Sequence, residues 1–156
     1  MDKFFTLELL IKLVTSFVGA GAFSVVFKIN KRHVLFGALN GLITYFMYYT
    51  VFFFTESYFG AAFVSTVLAA IFSESMARIR RAPSIVFLIP GVIPTVPGGN
   101  LYLFMRGVLI SEMEEALSQL LITLSVALGI ALGAVFVTTV WRTVKEKIAK
   151  KKAKTT

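Results

Sequence analysis

Residues Pro90–Tyr102 read PGVIPTVPGGNLY and sit inside an uncharged run from Ser84 to Met105. That run is long enough to cross a bilayer, which takes roughly 20 apolar residues. It nevertheless holds Pro90, Pro94 and Pro97 together with Gly91, Gly98 and Gly99. Each proline removes a backbone donor and clashes with the preceding turn, which costs about 3 kcal/mol inside a helix. A continuous helix is therefore not expected. The pattern predicts a short half-helix over 84–89, an irregular centre over 90–97 and a second half-helix from about Gly98. Lipid cannot hydrogen-bond freed carbonyls, so broken backbone at membrane depth must face protein or a watery cavity. Broken helices in that setting form solute sites in transporters.

The rest of the composition agrees with a membrane location. Of the 156 residues 57% are hydrophobic and 15% are charged, against about 25% charged in soluble domains. Mean hydropathy is +0.82. There is no cysteine, and His33 is the single histidine. Disulfides, thiol chemistry and histidine-rich metal sites are thereby excluded, and no cofactor is expected. The net charge of +8 would point to nucleic acid in a soluble chain. Here most basic residues flank apolar runs, so they read as a topology signal and no nucleic-acid partner is expected.

Working outward from the broken run, the chain divides into an all-α membrane domain over 1–141 and a basic cytoplasmic tail over 142–156. Five transmembrane helices are expected, at about 7–27, 34–55, 57–77, 84–110 and 116–141. The N-terminal segment lacks the positive start of a signal peptide and is read as a retained span. Glu8 and Lys12 lie one turn apart in it and can pair near the interface. Gly19–Ala22 give that span a small-residue face, Gly37 and Gly41 flank Asn40 in the second span, and Gly129 and Gly133 recur in the fifth. Small residues at this spacing let membrane helices approach closely. Tyr45, Tyr48, Tyr49 and Phe52–Phe54 read as an interfacial aromatic belt, and Trp141 as an interface anchor.

Orientation follows from the charges. Lys28, Lys31 and Arg32 form one basic connection, and Arg78, Arg80 and Arg81 a second. Arg142 and six lysines make the tail, and only Lys3, Lys12 and Arg106 lie elsewhere. The other two connections carry Glu56 and Glu112, Glu114 and Glu115. Positive-inside placement puts the N-terminus outside and the C-terminus inside, provided 84–110 crosses fully.

No enzyme constellation is present: no catalytic triad with an elbow, no HExxH, no Walker loop, no paired buried carboxylates. The chain reads as a non-enzyme, and any solute movement must draw on a gradient or on a partner. The candidate solute-binding residues are Pro90, Gly91, Pro94, Pro97, Gly98, Gly99, Asn100, Tyr102 and Arg106. The start of the second half-helix, Gly98–Asn100, offers free N–H groups and a positive dipole end to a carboxylate. Arg106 either binds that carboxylate or snorkels outward. Glu74 is the candidate proton or ion carrier, against the plainer reading of an ion pair with Arg78. Asn40, Ser65 and Thr66 either line a cavity or bond helix to helix. Tyr102 is a gate or an anchor. His33, beside Lys31 and Arg32, is read as a solvated loop residue, and the tail either as a contact to anionic lipid or as a segment that simply fixes topology.

The five-span plan, the PGVIPTVPGGNLY stretch in span four and the long closing span resemble the small, YjjB-type subunit of the two-component threonine/serine exporter family (ThrE-like). The matching positions are Pro90, Pro94, Pro97, Gly98 and Tyr102. The resemblance implies export of small hydroxy-amino acids, coupled to ion or proton movement, across a prokaryotic plasma (inner) membrane. It also implies a larger ThrE-like membrane subunit as partner, which single-chain members carry fused ahead of this half. Some two-component members are associated with dicarboxylates such as succinate, and a non-transporting accessory subunit is the other reading. If both halves have five spans they run in opposite directions, an inverted repeat with its site near the midplane. A homo-oligomer is possible where no partner is present.

Overall fold

The structure is a computed structural model that describes the backbone of residues 7–153 and the side chains of residues 7–144. Asp2, Lys3 and the tail side chains from Lys145 lie outside the described residues. Six α-helices follow in order: α1 Leu7–Val26, α2 Lys31–Thr55, α3 Tyr58–Arg80, α4 Ile85–Val92, α5 Gly98–Leu109 and α6 Met113–Ala153. A 3₁₀ turn, Ile93–Thr95, follows α4. No strand occurs among the described residues.

The helix starts are written locally. Asn30 Oδ1 accepts from the Arg32 amide at 3.1 Å to cap α2, and Ser57 Oγ accepts from the Gly60 amide at 3.2 Å to cap α3. Short polar side chains at these positions satisfy amides that the helix itself leaves unpaired. The helix ends share a different device. Lys28, Glu56, Arg81 and Ser111 all adopt positive φ, between 51° and 65°. At Ser111 the chain closes with a bond from Glu112 N to Gly107 O at 2.9 Å and one from Ser111 N to Val108 O at 3.4 Å. Such paired bonds satisfy the last carbonyls, although the left-handed residue is more commonly glycine.

α2 is the hub, packing on α1, α3 and α4; α3 also holds α6, and α5 packs chiefly on α6. The interior is built from small residues: Ala20, Ala38, Ala61, Ala62, Ala69 and Ala70, with Ser24, Ser65 and Ser73, are all buried. Leu10, Val18, Phe54, Leu109 and Leu128 point outward and are more than half exposed. This inside-out distribution suits lipid, where apolar surface gains nothing by burial and helices are held by close backbone approach. Gly129 and Gly133 show why. A Cβ added to Gly129 would stand 2.8 Å from Phe59 O, and one added to Gly133 2.8 Å from Phe63 O. α6 therefore lies directly on the backbone of α3.

Four helices are long and apolar enough to cross a membrane: Leu7–Val26, Lys31–Thr55, Tyr58–Arg80 and Met113–Val144. Ile85–Thr95 with Gly98–Leu109 makes a fifth when the pair counts as one bent span. The chain is a multi-pass, all-helical membrane protein. Two expectations need correction. The irregular centre is much shorter than 90–97, because α4 continues through Pro90 to Val92 and the 3₁₀ turn carries on to Thr95. The break falls at Val96 and Pro97, where the axis turns by 50°. Val96 is extended (φ −64°, ψ 128°), as a residue before proline prefers. The second correction concerns His33. It lies in the first turn of α2 rather than in a loop, its ring edge-on to Phe87 at 5.4 Å and its Nδ1 buried. Beyond the expected fifth span, α6 runs on as helix through 142–153.

Candidate functional site

The joint between α2 and α4 is assembled from Gly37, Asn40 and Gly41 on one side and Phe87, Pro90, Gly91 and Pro94 on the other. A Cβ on Gly37 would approach Pro90 Cβ to 3.2 Å, and one on Gly41 would approach Pro94 Cγ to 3.3 Å and Pro90 O to 3.4 Å. A Cβ on Gly91 would stand 2.6 Å from Asn40 Cγ. The prolines thus seat directly on glycine.

Asn40 is fully buried at the centre of this joint. Its two Nδ2 hydrogens serve Ser73 Oγ at 3.0 Å and Phe87 O at 3.0 Å, with Ala69 O at 3.3 Å sharing one of them. Ser73 passes its own proton to Ala69 O at 2.7 Å, so its lone pairs are open to the amide. One side chain therefore ties α2 to α3 and to the broken span. Pro90 has no amide to give Val86 O, and one carbonyl further on the Asn40 donor to Phe87 O ties the same turn of α4 to α2. Asn40 Oδ1 and Thr66 Oγ1 are buried without a protein partner among the described residues. Of the two readings for Asn40, the structure shows the helix-to-helix bond.

On the α1 side of the joint lies a cavity of about 260 Å³, lined by Lys12, Thr15, Ser16, Gly19, Tyr45, Ile93 and Pro94. Pockets for drug-sized ligands start at roughly 300 Å³, so this one suits a smaller solute. Lys12 Nζ is paired with Glu8 Oε1, as the spacing predicts. Thr15 Oγ1 donates to Ile11 O at 2.9 Å and Ser16 Oγ to Lys12 O at 2.7 Å. Tyr45 stacks near Tyr48, which in turn stacks on Phe52. The expected aromatic belt therefore reaches from the end of α2 inward to the cavity.

The sequence-derived candidates fall in three places. Pro90 and Gly91 are buried in the α2 joint, and Pro94 lies between the joint and the cavity wall. Gly98 and Gly99 open α5 with nothing within 4 Å of an added Cβ. The Gly98 amide donates back to Val96 O at 2.8 Å, and the Leu101 amide to Pro97 O at 3.1 Å. Asn100 Nδ2 donates to Gln119 Oε1 on α6 at 2.8 Å. Gly99, Tyr102 and Arg106 recur at i, i+3 and i+7, hence on one face of α5, and that face is exposed. Arg106 also borders a hollow of about 200 Å³ with Leu103, Gly107, Ile110, Glu112 and Glu115. Glu74 is half-buried in α3 beside Ser73, while the Arg78 guanidinium lies 4.4 Å over the Trp141 ring.

Lys12, Thr15, Ser16 and Tyr45 were not among the candidates the sequence singled out as solute-binding. Lys12, Thr15, Ser16 and Gly19 stand at i, i+3, i+4 and i+7, one face of α1, and a charge with two hydroxyls on one face of an apolar span was the available signal.

A model of the family described as Threonine/Serine exporter, ThrE, matches residues 12–140. The chain belongs to the threonine/serine exporter family. The match begins at Lys12 and covers both the broken span and the helices around it. As a member of this exporter family the chain is a membrane component of threonine/serine export. No curated protein and no solved structure is significantly similar to it.

Proposed function

We propose that this chain is the small membrane subunit of a gradient-driven threonine/serine exporter that works by alternating access with a larger ThrE-like subunit. The observation that carries the reading is the bent span: a 50° turn at Val96–Pro97 directly beyond the cavity wall formed by Ile93 and Pro94. Broken helices lining a cavity are how secondary transporters hold solutes near the midplane. In this reading α4 is the fixed half and α5 the moving half, with the hinge between them. The exposed face with Gly98, Gly99, Tyr102 and Arg106 turns toward the partner, whose surface completes the pathway. Glu74 is the residue assigned to proton or ion coupling.

The basic connections support five spans with the N-terminus outside and the C-terminus inside, in the plasma membrane of a prokaryote. The partner contributes a second five-span half in the opposite direction.

The test is threonine efflux from peptide-loaded cells carrying this chain alone, the large subunit alone, or both. Efflux with both and with neither alone supports a two-part exporter. Efflux from the large subunit alone makes this chain accessory. Succinate efflux with no threonine efflux, both proteins being present in the membrane, moves the assignment to a dicarboxylate.

A further inference from the structure

We propose that the Glu8–Lys12 pair and the cavity beside it recognise the zwitterionic hydroxy-amino acid itself: Lys12 takes the α-carboxylate, Glu8 the α-ammonium and Tyr45 the side-chain hydroxyl. This deepens the exporter reading and rests on it.

Four observations converge. Lys12 Nζ is paired with Glu8 alone among the described residues, and an ammonium has three hydrogens to give. Two remain for a carboxylate. Glu8 is an exposed carboxylate with accepting oxygens to spare. A zwitterion laid beside this pair sets minus against plus and plus against minus, so no net charge is buried and the desolvation penalty of a lone ion is avoided.

The polar groups of the cavity complement the rest of the solute. Thr15 and Ser16 donate their protons to backbone carbonyls of α1, which leaves their oxygens as acceptors. The Tyr45 hydroxyl has no hydrogen bond among the described residues and borders the same space. Gly19 leaves the floor open, since an added Cβ would meet nothing within 4 Å. A short, branched, hydroxylated side chain fits a volume of about 260 Å³.

Position supports the same assignment. Lys12 lies five residues into α1, about 8 Å along its axis, and Tyr45 lies ten residues before the end of the antiparallel α2. The cavity is thus inside the apolar length of both helices. Its far wall is Ile93 and Pro94, the last turn before the bend, so a change in the bend moves one wall of the cavity relative to Lys12.

The experiment measures threonine counterflow in proteoliposomes holding the full chain, with the large subunit included where the efflux test requires it. Lys12→Gln is expected to raise the threonine KM about tenfold or more, as loss of a charged anchor does. Lys12→Arg, which keeps the charge, should stay within about threefold. The Tyr45→Phe variant tests the contact to the solute hydroxyl. It should lower the preference for threonine over 2-aminobutyrate about tenfold, because a site that bonds a hydroxyl rejects the analogue lacking it. That ratio does not depend on how much protein folds, so it decides the matter if Lys12→Gln fails to assemble. Threonine counterflow by the parent protein, with KM within twofold in Lys12→Gln and an unchanged ratio in Tyr45→Phe, overturns the proposal. A parent protein that moves no threonine overturns the exporter reading beneath it.

Discussion

α4 and α5 are two halves of one uncharged run, yet their glycines sit in opposite surroundings. Gly91 in α4 is hemmed in by the Asn40 side chain, while at Gly98 and Gly99, at the start of α5, an added Cβ would meet nothing within 4 Å. The prolines differ in the same way. Pro90 is buried against Gly37 and Gly41, whereas Pro97 stands at the bend with no side-chain cap on the helix that follows. The contrast separates two uses of one residue type. In α4 glycine is absent side chain, letting helices touch. At the start of α5 no neighbour meets an added Cβ, and the glycines take a negative φ that any residue can adopt.

The strongest way to test that contrast is to fill the tight side. Gly91→Val drives a branched Cβ into Asn40 and is expected to destabilise the protein by ~3 kcal/mol or more, at the upper end for overpacking. Loss of the folded peak in size-exclusion chromatography and a lower unfolding temperature in detergent would register it. A normal profile would mean that the α2–α4 joint is not packed as described.

A sharper version asks whether Asn40 is the atom group that Gly91 avoids. Asn40→Ala removes the donor to Phe87 O and Ser73 Oγ and should cost ~1–2 kcal/mol, within the range for buried interhelical bonds in membranes. The pair Asn40→Ala with Gly91→Ala should cost less than the sum of the two single changes, because the first vacates the space that the second fills. Additive costs in thermal unfolding would break the link.

Ser111, just past α5, tests the end of that second half. Its φ is 65°, a conformation that costs an ordinary residue ~1 kcal/mol. Ser111→Gly should raise stability by up to ~1 kcal/mol and lift the unfolding midpoint, with α5 otherwise undisturbed.

The smallest stability effect belongs to the open side. Gly98→Ala should change stability by less than ~0.5 kcal/mol, as substitutions without packing consequences do. Gly98→Val should likewise leave the complex assembled, yet under the proposed function it should abolish efflux, because the hinge then carries a branched residue. Efflux and assembly that fall together would place Gly98 with Gly91 and erase the distinction between the halves.

Much of this was legible beforehand. Long apolar runs and their basic flanks mark helices that cross a membrane, and the three prolines in one run mark a broken one. The Glu8–Lys12 pair follows from a spacing of four. The location of the break was less legible. Pro90 and Pro94 each predict an interruption by local rules, but α4 runs on through Pro90 where it packs against Gly37, Asn40 and Gly41 of α2. The break comes instead at Val96–Pro97, where Val96 is exposed and extended. His33 was misread for a related reason: its basic neighbours Lys31 and Arg32 look like a loop, while the ring edge on Phe87 shows a helix start packed on α4. The cavity by Lys12 and Tyr45 was hidden because its walls come from α1, α2 and the turn after α4.

What the amino-acid order determined by itself is the part governed by transfer from water to lipid and by the covalent limits of proline. These are the all-helical class, the apolar segments, the charge bias between their ends and the existence of a break. Those properties belong to single residues and short windows, so no neighbour is needed to read them. The tertiary structure alone decided which proline ends a helix, which glycine is a contact and which meets no neighbour, and where a polar cavity opens. Each of these depends on whether another helix brings a donor, a side chain or empty space to that point.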